Sequence, residues 1–244
     1  ICDSEADIVF LKSKDNTARV VCYQNQKEKH AVQVVDSVLK INYTKAKNWY
    51  ERITIMSLDT PKITVYLPKE DYLSLTVETN TADIEIPKDF KFKDIKINGS
   101  TCDVDCFASA ENSLSVTVST GDIKIKDITT KNLNLLVSTG DITLDGVNCK
   151  TLNSNGSTGD MVLKRVIAEN KLKIKRNTGD ISLYSCDAGE ISIKTSTGDV
   201  SGSLLTDKVF VANSNTGNIT VPKTTTGGIC EITTDTGDIN LKIA

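Results

Sequence analysis

The chain has 244 residues, a formal net charge of −3, and a composition that is 39% hydrophobic, 25% charged and only 5% aromatic. Lys and Asp are interspersed throughout, which argues against a basic block that grips nucleic acid and against an acidic disordered tail; no run approaches the ~18 apolar residues of a membrane-spanning helix. Ser, Thr, Asn and Asp alternate with Ile, Val and Leu, a mixture that favours strands and turns.

The chain opens at Ile1 rather than Met and carries no secretion signal; upstream residues are expected to have been removed, and any export signal or membrane anchor would have gone with them, so the lack of one does not argue for a cytosolic place. Residues 1–73 contain β-like runs at 7–11, 18–23, 31–43, 52–57 and 62–67, separated by polar breaks. Most aromatics lie here, Trp49 and Tyr50 among them. We expect a β-rich cap leading into the remainder of the chain, because the end of a sheet stack is otherwise an open edge. Two roles are open to Trp49 and Tyr50: core of the cap, or a platform for a ligand such as a glycan.

From residue 74 to 244 the sequence repeats. Ser119-Thr120-Gly121-Asp122-Ile123 recurs at Gly140-Asp141, Gly159-Asp160, Gly179-Asp180, Gly198-Asp199, Gly217-Asn218 and Gly237-Asp238, with degenerate copies at Ala82-Asp83 and Cys102-Asp103. The steps are all 19 or 20 residues, the mark of a solenoid. Two residues after the glycine position stand Ile84, Val104, Ile123, Ile142, Met161, Ile181, Val200, Ile219 and Ile239; seven before it stand Leu75, Ile95, Leu114, Leu133, Leu152, Leu172, Ile191, Phe210 and Cys230. Alternation of period two on both sides of the turn predicts two half-buried strands per coil. A further column, Ile128, Val147, Val166, Cys186 and Leu205, predicts a bend that returns the chain. The predicted fold is all-β: a β-solenoid of about nine coils behind an N-terminal cap, forming one continuous unit.

The Thr-Gly-Asp motif is expected to be structural. Glycine supplies a positive φ without steric cost, and Asp bonds the backbone of a tight turn. Gly121, Asp122, Gly140, Asp141, Gly159, Asp160, Gly179, Asp180, Gly198, Asp199, Gly217, Gly237 and Asp238 are therefore assigned to turns, with no catalytic, cofactor or metal residues. Calcium-binding solenoids use glycine-rich nonapeptides, whereas this repeat is twice as long with one Gly and one Asp. An ice-binding Thr ladder needs a flat strand face, and these Thr precede a turn. A carbohydrate-active parallel β-helix enzyme, the alternative kept open, needs long loops to wall a cleft, and the coil lengths here are nearly constant. No nucleophile motif is present. Seven cysteines at irregular spacing, with a single histidine at His30, make a poor disulfide framework or zinc site. Cys106, Cys186 and Cys230 stand in apolar columns and Cys102 in the glycine column, as structural thiols. The last strand, ending near Lys242, is expected to be an open edge available for end-to-end self-association.

Several elements together resemble a bacterial putative-adhesin domain family of unknown function, toast-rack-like β-solenoids of envelope proteins. They are Ser4-Glu5-Ala6-Asp7-Ile8, Pro61-Lys62-Ile63-Thr64-Val65-Tyr66-Leu67-Pro68, Leu73-Ser74-Leu75-Thr76-Val77 leading into Thr81-Ala82-Asp83-Ile84, and the Ser-Thr-Gly-Asp-Ile series. The resemblance implies an extracytoplasmic place in the cell envelope or at its surface. It implies a non-catalytic scaffold or adhesin, with an envelope protein or a surface glycan as partner. Membrane attachment would run through residues upstream of this chain; Cys2 follows Ile1 where a lipoprotein signal has a small residue, so a membrane helix is an equal expectation.

Overall fold

The computed structural model describes residues 1, 6–23, 28–45, 61–68 and 71–244. Among the described residues there is no helix, and so none long and apolar enough to cross a membrane. Trp49, Tyr50, Cys2 and the expected run at 52–57 lie outside them.

Among the described residues five strands precede the coils: β1 (Asp7–Lys12), β2 (Arg19–Tyr23), β3 (Glu28–Val35), β4 (Val38–Lys45) and β5 (Lys62–Leu67). The single run expected at 31–43 is a hairpin. Asp36 and Ser37 both take positive φ, 50° and 62°, the backbone of a two-residue turn whose twist matches the flanking strands. A period-two pattern continues unbroken through such a turn, so it left no mark in the alternation.

Each coil then lays a long strand in a first sheet, turns at the motif, and lays a short strand in a second. The pairs are β6 (Asp71–Thr81) and β7 (Ile84–Ile86), β8 (Lys91–Thr101) and β9 (Val104–Cys106), β10 (Ser109–Thr120) and β11 (Ile123–Lys126), β12 (Thr129–Thr139) and β13 (Ile142–Asp145), and β14 (Asn148–Thr158) and β15 (Met161–Lys164). They continue with β16 (Ile167–Lys175) and the first part of β17 (Ile181–Thr197), the rest of β17 and β18 (Val200–Leu204), β19 (Lys208–Thr216) and β20 (Ile219–Thr220), and β21 (Gly228–Thr236) and β22 (Ile239–Ile243). All coil-to-coil pairing is parallel and in column register, Ile123 on Ile142 and Ile142 on Met161. Identical columns therefore stack directly and bury each other. Ile84, Val104, Ile123, Ile142, Met161, Ile181, Val200 and Ile239 are each at most 1% exposed, and such burial is worth about 1.5–3 kcal/mol per side chain.

Two column assignments change. Leu205 is 45% exposed while Leu204 is fully buried. Four earlier coils bend here through a positive-φ residue six positions after the glycine position, Asp127, Gly146, Arg165 or Ser185; in the coil after Gly198 the positive φ falls two positions earlier, at Gly202, and the register shifts so that Leu204 stands opposite Cys186. Cys102 does not act as a turn glycine. Neither it nor Ala82 has a positive φ; both side chains are buried, and the Cys102 thiol lies over Gly99, where a Cβ would be 2.1 Å from the sulfur.

The largest departure concerns the ends. The C-terminal strand is not an edge. β21 lies between β17 and β19, and β22 between β18 and β20. The last coil in sequence is inserted beneath the penultimate one, which becomes the outermost. Lys208, in register with Gly228 of the inserted coil, pairs with Asp187 beyond it, Nζ to Oδ1 2.6 Å, with side chains 4% and 15% exposed. The other terminus is inserted too: β1 lies between β7 and β5, β5 is followed outward by antiparallel β2, and the Ile1 ammonium donates to the Thr76 carbonyl at 2.7 Å. At the start of the coils Tyr72, Phe90 and Phe92 pack with ring centroids 5.6 to 6.5 Å apart.

The coil order is testable by cross-linking. Ser201 is in register with Asn240, and Asn240 with Thr220. Ser201→Cys with Asn240→Cys should oxidise to a disulfide, since adjacent strands lie about 4.8 Å apart. Ser201→Cys with Thr220→Cys, two strands apart, should not. Sequential stacking would reverse the two results in a mass-spectrometric disulfide map.

Candidate functional site

The motif aspartates form one continuous hydrogen-bonded ladder. The backbone N–H of Asp83 donates to the Asp7 carboxylate at 3.1 Å, and Asp103 to Asp83 at 3.0 Å. Asp122, Asp141, Asp160, Asp180 and Asp199 each donate to the aspartate one coil earlier at 2.8 Å. The ladder then follows space rather than sequence: Asp238 donates to Asp199, and Asn218 to Asp238, both at 2.7 Å. Neighbouring carboxylates about 4.8 Å apart repel by about 0.9 kcal/mol in water. A hydrogen bond to a charged acceptor is worth about 1.5–3 kcal/mol, so the attraction prevails at each step.

Glycine is required beside the ladder because the coils touch there. At Gly140, φ is 141° and an added Cβ would be 2.0 Å from the Gly121 carbonyl oxygen. At Gly217 the obstructing oxygen belongs to Gly237, and at Gly237 to Gly198, the same spatial order as the ladder.

Near its N-terminal end the ladder lines a groove of about 550 Å³. Asp7, Asp83, Asp103, Asp122 and Asp141 form one column of its lining, and Val9, Glu85, Asp105, Lys124 and Thr143, each two residues further along the chain, form the next, together with Lys62. The groove is strongly acidic, interrupted by two lysines, and suits a cationic or hydroxyl-rich ligand. Among the described residues no three His, Cys, Asp or Glu side chains converge to hold a metal ion. The sequence singled out the ladder residues as turns; Glu85, Asp105 and Lys124 were missed because only stacking brings their columns alongside the aspartates.

A buried arginine was also missed. Arg176 is 1% exposed, and its guanidinium lies against Ser154 Oγ at 3.3 Å and Met161 Sδ at 3.8 Å. Its Nε and Nη1 have no hydrogen-bond partner among the described residues. Burial pushes its pKa down, opposed by the charge of Asp141. The preceding coil accommodates it with small residues: a Cβ on Gly156 would be 1.6 Å from Nη1. Ser154 in an otherwise apolar column was the available signal.

Five of the cysteines, Cys102, Cys106, Cys149, Cys186 and Cys230, are buried thiols held protonated by their surroundings. Burial pushes Cys106, Cys149 and Cys230 up to about 12, and Cys186 upward. Cys102 rises to about 11, through burial and then the charges of Asp83 and Asp103.

The family profile matches twice, over residues 1–153 and 108–244, and together these matches span the chain. The chain belongs to the Toastrack DUF4097 family. A solved relative in fold is a putative adhesin from Bacteroides fragilis NCTC 9343, 15% identical, with a TM-score of 0.51 over 99% of this chain and 91% of that one. Another match is a putative cell adhesion protein from Clostridium sporogenes ATCC 15579, 12% identical, with a TM-score of 0.27 over 100% of this chain and 92% of that one. No curated protein matches the chain. In this Toastrack protein the groove is a feature of one side of the stack, built from coils of uniform length.

Two outcomes are expected for the Toastrack ladder and its thiols. Asp141→Asn keeps the acceptor oxygen, as Asn218 keeps the donor end of the same ladder, and should leave stability within about 0.5 kcal/mol; Asp141→Ala should cost about 1–2 kcal/mol in urea unfolding. Native labelling at pH 8 should spare Cys102, Cys106, Cys149, Cys186 and Cys230 until the chain is unfolded, as read by peptide mapping. Raised thiol pKa values also mean that stability is complete below the ordinary thiol value of 9.0 and is lost as pH rises towards 12.

Proposed function

We propose that this chain is a non-catalytic β-solenoid scaffold of the bacterial cell envelope or surface, adhesin-like, whose side face binds an envelope protein or a surface glycan. The observation that carries the reading is the acidic groove along coils of constant length. It offers a long, charged, shallow surface, and among the described residues neither corner of the coil inserts a loop that would close over a substrate. Membership of the Toastrack family and the description of the Bacteroides fragilis protein of similar fold as a putative adhesin support the same reading.

The acidic groove also favours a second reading, a carbohydrate-active parallel β-helix enzyme. Glycoside hydrolysis uses two carboxylates about 5–9.5 Å apart, and a ladder contains many such pairs. Spacing alone therefore selects none of them, and each ladder carboxylate already accepts a backbone N–H. The two readings separate in one experiment. The intact chain is used to probe a glycan array and to capture partners from envelope extract, alongside Glu85→Lys/Asp105→Lys, which changes the groove but leaves the ladder. Binding that falls at least about tenfold in the variant, with no release of reducing ends from the bound glycans, is the expected result. Turnover abolished by Asp105→Asn would establish the enzyme, and binding equal in parent and variant would remove the groove from the function.

A further inference from the structure

We propose that the open end of the stack, formed by β19 and β20, is an isologous interface for a second copy of this chain. Among the described residues each of these strands is paired on one side only. The core is open there as well. Ile219 is 43% exposed, whereas the eight other residues of its column are at most 1%; Phe210, Ala212 and Val221 are only partly buried. On the outer face Val211 and Ile229 are 55% and 56% exposed.

Edge strands are ordinarily guarded by charge, proline or a covering element. Here residues 209–222 contain no Asp, Glu, Lys or Arg, the longest uncharged stretch in the sequence, and its one proline, Pro222, lies beyond the end of β20. Between Lys208, which is buried against Asp187, and Lys223 the edge carries no charge that would select a charged partner or repel its own copy, although the whole chain carries −3. The ladder makes the same point at one residue. Its outermost member is Asn218, where the eight other coils have Asp. An amide brings both a donor and an acceptor without charge, where the inner members of the ladder carry carboxylates.

The geometry closes at two copies. A two-fold axis normal to the sheets carries the end of the stack onto its copy with the strands of each sheet antiparallel, and an axis through β19 pairs that edge with itself. The opposite end is a different surface, where the second sheet runs out through β5 to antiparallel β2, with Arg19 stacked on Tyr66 at 4.3 Å. Head-to-tail growth would need that end to match this one.

Sedimentation and light scattering of the 244-residue chain from about 1 to about 200 µM test the proposal. The mass should rise from 26.5 kDa to twice that value and stop. Val211→Lys/Asn213→Lys, two exposed sites on β19, should weaken association at least about tenfold with unchanged far-ultraviolet dichroism. Leu136→Lys, exposed in mid-stack on the same sheet, should associate as the parent does. A constant 26.5 kDa, growth past two copies, a doubly substituted chain that dimerises normally, or a Leu136→Lys chain that does not would each overturn it. A monomer would leave the end to a segment beyond Ala244 or to another protein.

Discussion

The bond from a backbone N–H to the carboxylate one coil earlier ties each turn to the one beneath it. It repeats from Asp7 to Asn218 at 2.7 to 3.1 Å, and it operates where the coils are in closest contact. A side chain at the neighbouring glycine would occupy the carbonyl oxygen of the adjacent coil. Glycine and aspartate thus answer two parts of one constraint, the spacing of a parallel stack. Once that spacing holds at the corner, the columns on both sheets fall into register and bury one another.

In-register stacking of near-identical coils has a consequence at the ends. Any coil offers almost the same surface to its neighbour, so neighbours in space need not be neighbours in sequence. The C-terminal coil exploits this by lying between two earlier ones, and β1 does the same at the other end. Features outside the repeat select the order. Lys208 reaches Asp187 across the inserted coil, and breaking one side of such a buried pair is costly. Solenoid stability is a sum over adjacent coils; interleaving adds a long-range requirement, because the outermost coil can dock only on a coil made last.

The side and the end of the stack are different surfaces. The side presents columns of charge with an acidic groove between them; the end presents uncharged edges and an open core. A scaffold that binds through the first and self-associates through the second would leave both functions physically independent. The buried thiols and Arg176 belong to neither surface and lie within the packing.

The repeat, its pitch, the turn and the apolar columns were legible because each depends on contacts within one coil or on the same contact made many times. Trp49 and Tyr50, for which cap core and ligand platform were both open, lie outside the described residues. What the sequence determined by itself was the solenoid: alternation of period two, a glycine-aspartate corner every 19 or 20 residues, and a β-rich lead-in. Only the tertiary structure decided which coil stands next to which, because the corners at Gly198, Gly217 and Gly237 are locally interchangeable. It also decided that Leu204 rather than Leu205 is buried, that Arg176 has its place over Gly156, and that Glu85, Asp105 and Lys124 meet the ladder in one groove. Each of these is set by a neighbour in another coil, and pattern along a chain carries no record of it.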